Sequence, residues 1–168
     1  VTQFSASSFG NSGIIFNNTG VVDVQAGTLQ LSAGGTHTGD FSLAAGATLS
    51  IGGTHSFDTS TDVTGAGTLS VFSGMTTFNG QQAAAGTFAI SGNSAVNFDG
   101  TTTAGSLILS SGTLSGTGSV TFVGASIWFT NGVMSGSGQT IFAAGSTLSI
   151  SGSFVGLNRT LINEGSVT

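Results

Sequence analysis

Residues 67–71 read GTLSV, and the same short phrase returns at a nearly fixed interval along the chain. It stands as Gly27-Thr28-Leu29-Gln30-Leu31, Gly67-Thr68-Leu69-Ser70-Val71, Gly86-Thr87-Phe88-Ala89-Ile90 and Gly105-Ser106-Leu107-Ile108-Leu109. With one extra residue after the glycine it recurs as Gly46-Ala47-Thr48-Leu49-Ser50-Ile51, Gly124-Ala125-Ser126-Ile127-Trp128-Phe129 and Gly145-Ser146-Thr147-Leu148-Ser149-Ile150. The leading apolar positions are 29, 49, 69, 88, 107, 127 and 148, in steps of 20, 20, 19, 19, 20 and 21. Each copy alternates apolar and polar residues with period two, the pattern of a strand with one buried face.

Two further short segments fit into every period. One set is THSF (54–57), MTTF (75–78), AVNF (95–98), TL (113–114) and VM (133–134); the other is VDV (22–24), FSL (41–43), VTF (120–122) and QTIF (139–142). Between them lie Asn79-Gly80, Asp99-Gly100 and Asn131-Gly132, pairs that tolerate the positive φ of sharp corners. One period is thus three short strands and three corners. Strands this short, repeating every 19–21 residues, predict a parallel β-helix of about eight coils, each stacked on the next at about 4.8 Å, a rod roughly 38 Å long. The whole chain, 1–168, reads as one such solenoid segment, part of a longer repeat array or filament. The variable coil length and the missing hexapeptide period point to the right-handed kind. No segment carries helical periodicity, so essentially no helix is expected.

The inward residues of the leading strands form two columns. They are Leu29, Leu49, Leu69, Phe88, Leu107, Ile127 and Leu148, and Leu31, Ile51, Val71, Ile90, Leu109, Phe129 and Ile150. Neither has a polar member.

The runs AGTLQLS (26–32), VTGAGTLSV (63–71), LSGTGSVTF (114–122) and NRTLINEGSVT (158–168) resemble the repeat regions of large bacterial surface and secreted proteins, the autotransporter passenger domains and filamentous adhesins. The resemblance covers nearly the whole chain. It implies the coil architecture and an extracellular location, and it brings no catalytic residue with it, since one coil type serves many functions.

Composition excludes several classes. Only Asp23, Asp40, Asp58, Asp62, Asp99, Glu164 and Arg159 are formally charged, 4% of the 168 residues against about 25% in an ordinary soluble domain. A net charge of −5 without a basic patch makes nucleic acid a poor partner. No apolar run is long enough to span a membrane as a helix, and no signal-peptide pattern is expected in this stretch. With no cysteine there are no disulfides and no thiolate metal sites.

Gly-Gly-Thr-His occurs twice and places the two histidines, His37 and His55, eighteen residues apart, each followed three residues later by Asp40 or Asp58. A His/Asp metal or acid–base site is the sharp reading. The shared flanks favour a duplicated corner whose imidazoles stack or meet water, and no third His, Glu or Cys joins them. Asp58, Asp62 and Asp99 invite a calcium reading, but the tandem Gly-Gly-x-Gly-x-Asp repeat is absent, so solvated corner carboxylates are expected. Arg159 stands far from most of the acids. No catalytic residue, metal site or cofactor is expected, and the chain reads as a non-enzyme.

Two outward features remain. Thr28, Thr48, Thr68, Thr87, Ser106, Ser126 and Thr147 lead the strands and predict a hydroxyl ladder on a flat face. Such a face fits ice or carbohydrate, or is simply soluble strand surface where charges would stack in like-sign columns. Ile108 and Trp128 stand one coil apart and read as an exposed contact surface. The sequons at Asn17 and Asn158 are what an Asn/Thr-rich chain supplies by composition. The first and last segments, VTQFSASSFG and NEGSVT, carry no polar cover for a strand edge. The preferred expectation is a structural rod, an adhesin shaft or filament subunit of a secreted or cell-surface bacterial protein. Its partners would be copies of itself end to end, or adjoining repeats. The alternative is a module binding ice or carbohydrate.

Overall fold

The structure, a computed structural model, describes residues 2–4, 9–11, 13–80, 82–83, 86–129 and 131–168. Only strand backbone is described for 2–4, 9–11 and 82–83, so what the sequence leads one to expect of VTQFSASSFG falls largely outside the described residues. The fold is the expected all-β solenoid. All strand pairs are parallel, and no helix occurs among the described residues.

The ladders follow from the repeat. On one face, the strands Thr28–Leu31, Thr48–Ile51, Thr68–Phe78, Thr87–Phe98 and Ser106–Leu109 pair in series. Their leading residues stand in register as Thr28, Thr48, Thr68, Thr87 and Ser106. A second face carries Val21–Val24, Asp40–Leu43 and Val63–Gly65, then Thr101–Ala104, Ser119–Phe122, Gln139–Phe142 and Thr160–Asn163. On the third face, Thr54–Phe57 pairs with Met75–Phe78, which pairs with 95–98, and onward to Thr113–Ser115 and Val133–Met134. The sequence pattern separates the first and third faces by a corner in every coil. In two coils the strand instead runs through it, as Thr68–Phe78 and Thr87–Phe98, with the register shifting between Val71 and Ser73. A bulge with positive-φ glycines at Gly74 and Gly92 bends these strands without interrupting the ladder.

The core is the inside of the coils. Leu29, Leu49, Leu69, Phe88 and Leu107 are buried in one column, and Leu31, Ile51, Val71, Ile90 and Leu109 in the next. On the third face Phe57, Phe78 and Phe98 stack in register, with centroids 4.6 and 5.4 Å apart. Phe88 meets both Phe78 and Phe98 edge-on.

The columns depart from the sequence-based alignment at one coil. Ser106–Leu109 pairs with Ala125–Trp128 so that Ile108 faces Ile127 and Leu109 faces Trp128. The motif at Gly124 therefore takes no extra residue here, and a one-residue slip sends every side chain of the strand to the opposite face. Ser126 and Trp128 enter the core, each 2% exposed, while Phe129 and Ile150 are left 40% and 38% exposed. The expected core places of Ile127 and Phe129 are thereby corrected; Ile150 keeps its expected column, paired with Trp128, but is partly exposed there. Two local features support the slip. The Leu107 N–H donates to Ser126 Oγ at 2.9 Å, so the buried hydroxyl is partnered. The indole N–H of Trp128 donates to the Gly132 carbonyl at 2.9 Å. Glycine is required at 132, because a Cβ there would sit 2.8 Å from the indole.

The corners are held by glycine for a different reason, the closeness of successive coils. Extending the pairing of Thr101, Ser119, Gln139 and Thr160 by one residue aligns Gly100, Gly118, Gly138 and Arg159. A Cβ on Gly118 would lie 1.9 Å from the Gly100 oxygen, and one on Gly138 would lie 1.9 Å from the Gly118 oxygen.

Three core threonines are buried with no partner for their hydroxyls: Thr76, Thr102 and Thr140. Val120 lies between Thr102 and Thr140 in one column, so that column already accepts the isosteric valine. Thr102→Val and Thr140→Val are each expected to raise stability by roughly 1 kcal/mol, by removing an unmade hydrogen bond. For a chain of this size that is about 2–4 °C in melting temperature per substitution, which calorimetry would resolve.

Candidate functional site

The hydroxyl face, the expected contact pair, the histidines and the lone arginine are the chemically distinctive groups of the chain. The hydroxyl ladder is real over five coils, from Thr28 to Ser106, all half-buried and spaced by the coil rise of about 4.8 Å. Its next rung is Ala125, not Ser126, which the register slip has turned inward; Thr147 then follows Ala125. The neighbouring outward row runs Gln30, Ser50, Ser70, Ala89, Ile108, Ile127 and Ser149. The expected Ile108–Trp128 contact surface is corrected in the same way. Trp128 is a core residue, and Ile108 is joined on the outer face by Ile127, both half-buried.

The two histidines are not equivalent by register. Gly35 lies opposite His55, and His37 lies opposite Phe57, a two-residue offset between the two Gly-Gly-Thr-His units. His37 thus stands in the Phe57–Phe78–Phe98 column, with Asn18 opposite it on the preceding coil, and His55 heads the column of Thr76, Val96 and Leu114. Both are 1% exposed. His37 Nε2 and His55 Nδ1 are 2.9 Å apart, and His55 Nε2 is 3.1 Å from the Gly52 carbonyl oxygen. The rings are nearly parallel, at 12° with centroids 5.2 Å apart.

A carbonyl only accepts, so His55 carries its proton on Nε2 and its Nδ1 is an acceptor. His37 therefore donates from Nε2, and its own Nδ1 is a bare acceptor, buried with no partner. Burial pushes the His37 pKa down to about 3, with His55 adding to the shift, and burial also lowers His55. Both imidazoles are neutral across the physiological range.

Asp40 and Asp58 do not join them. Asp40 accepts the Asp62 backbone N–H at 2.9 Å, and Asp58 accepts the N–H and hydroxyl of Thr59. Asp99 likewise accepts the N–H and hydroxyl of Thr117. Asp40 and Asp99 tie successive corners together, and Asp58 caps its own. Among the described residues no group of three or more His, Cys, Asp or Glu is placed to hold a metal ion.

Arg159 is the functional-looking residue that sequence reasoning missed. It is 8% exposed and has no carboxylate partner. Its guanidinium donates to the carbonyls of Ser135 (3.2 Å), Gly118 (3.1 Å) and Gln139 (2.9 Å). It fills the notch left by the absent side chain of Gly138, where a Cβ would lie 2.7 Å from Nη2. Burial lowers its pKa from the ordinary arginine value. The one available signal was positional: Arg159 succeeds Gly100, Gly118 and Gly138 in the same corner column.

No family model, curated protein or solved structure matches the chain.

Proposed function

We propose that the chain is a structural, non-enzymatic rod segment of a bacterial secreted or cell-surface protein. The observation that carries this reading is the parallel stack, continuous along the first face from Phe9–Asn11 to Ser166–Val167, with backbone hydrogen bonds along the axis and an apolar interior across it. Such a stack resists bending and holds whatever it bears at a distance. The polar groups support it. The aspartates cap corners, the arginine clamps neighbouring coils, and the histidines bond to each other inside the wall.

The partner implied is a further β-helical coil, from adjoining repeats or from a second copy. Leu157 and Val167, which continue the columns of Met134 and Leu148, are 50% and 47% exposed. Purified protein is expected to form end-to-end rods in negative-stain images, and Val167→Lys with Thr168→Lys should shorten them by placing like charges on the stacking edge. Single short particles at high concentration, unchanged by the lysines, would count against self-association.

The in-register row of Thr28, Thr48, Thr68 and Thr87 favours one second reading, recognition of ice or a neutral carbohydrate surface. Thermal hysteresis of a dilute solution would distinguish it from the rod.

A further inference from the structure

We propose that the buried His37–His55 pair is an acid-operated release for the coils around residues 16–57, so that one stretch of the rod loosens on acidification while the rest stays stacked. The hydrogen-bond relay has a single direction: His37 Nε2–H to His55 Nδ1, and His55 Nε2–H to the Gly52 carbonyl. The backbone carbonyls of Gly52 and Leu31 partly offset the cost of charging His55, but nothing among the described residues does so at His37. On His37 an added proton lands on Nδ1, which is enclosed by Phe16, Phe41 and Phe57 at centroid distances of 6.3, 5.1 and 4.6 Å and has no acceptor. On His55 it lands on Nδ1, which then meets the His37 N–H donor to donor.

No counter-charge rescues either ion. The strand stacked on His55 places Thr76 opposite it. Phe57 lies opposite His37 on one side and the uncharged Asn18 on the other, whose side-chain amide donates to the Asp40 backbone carbonyl and accepts the Gly20 N–H. The nearest acids by sequence, Asp40, Asp58 and Asp62, are exposed on the corners, and the first two accept hydrogen bonds there. The pair also staples successive coils, since His37 and His55 come from neighbouring rungs. Breaking it therefore weakens one coil-to-coil interface. In a stack where each coil touches only its neighbours, that opening need not spread.

The sign follows from linkage. Opened coils expose imidazoles that titrate near the ordinary value of about 6.5, whereas in the closed coils burial lowers both, His37 to about 3. The closed state is fully favoured above pH ~6.5 and loses up to about tenfold per pH unit per histidine below it. For His37 the loss runs on toward pH 3.

The test is hydrogen exchange with mass spectrometry on the whole chain at pH 7.0, 5.5 and 4.5, as protection factors corrected for intrinsic rates. Segments covering 16–57 are expected to lose at least about tenfold in protection between pH 5.5 and 4.5, while those covering 87–122 hold theirs. His37→Phe with His55→Leu replaces both members by residue types their columns already contain, and should abolish the difference. Equal losses along the whole rod, no loss in 16–57, or the same loss in a folded double variant would overturn the proposal. If the double variant does not fold, imidazole 15N shifts of the wild-type protein decide. Neutral Nε2–H tautomers that give way to imidazolium together with the lost protection support the release. Imidazolium formed with protection intact overturns it.

Discussion

Leu69→Asp is expected to unfold the chain or leave it marginal. Leu69 is fully buried and stands in register between Leu49 and Phe88. A carboxylate there meets apolar neighbours along the axis and no donor among the paired side chains. Burying it costs several kcal/mol even after its pKa rises to neutralise it, of the order of the whole stability of an ordinary domain. Leu69→Met conserves volume and should cost less than about 1.5 kcal/mol. Urea unfolding followed by circular dichroism is the measurement. A variant Leu69→Asp with a wild-type midpoint would mean that this column is not the core.

Gly138→Ala, the addition of one methyl group, is the second large effect. Its Cβ would lie 1.9 Å from the Gly118 oxygen and 2.7 Å from Arg159 Nη2. The coils would have to separate at that corner. The guanidinium would then lose its hold on the carbonyls of Gly118 and Gln139, leaving a buried cation with the Ser135 carbonyl alone of its three acceptors. Overpacking and a broken buried charge network together are expected to cost about 3 kcal/mol or more. Gly20→Ala is the control. Gly20 has open space around its missing Cβ, so alanine there should change stability by less than about 0.5 kcal/mol. Similar melting temperatures for the two variants would show that the close approach at the Gly138 corner is not maintained in solution.

Both expectations rest on register, and register was only partly legible in the chain. Where GT-apolar-x-apolar repeats at 19 or 20 residues without ambiguity, from Leu29 to Leu107, reading the columns off the sequence and reading them off the structure lead to the same residues. At GASIWF (124–129) two alignments were open, one burying Ile127 and Phe129, the other Ser126 and Trp128. Hydrophobicity alone favours the first, because a serine in an apolar column looks wrong. The structure takes the second, since the hydroxyl accepts the Leu107 N–H and Gly132 leaves room for an indole whose N–H is satisfied. Both partners are distant from the motif or outside its pattern.

The histidines show the same division. Their duplication was visible, and stacked imidazoles were one of two expectations, imidazoles facing water the other. The two-residue offset that turns a repeated corner into a one-way relay was not visible, because it depends on how the coil between them spends its twenty residues.

The sequence by itself determined the class of fold, the absence of helix among the described residues, the two main core columns over most of their length, and the hydroxyl ladder from Thr28 to Ser106. These follow from a local period, and a period survives without knowledge of any contact. Only the tertiary structure decided that Trp128 faces inward, that His37 and His55 share one proton path, and that Arg159 fills the notch of a glycine column. Each of these is settled by what lies one coil away, roughly twenty residues along the chain, where packing volume and hydrogen-bond partners choose between registers that local pattern leaves equal.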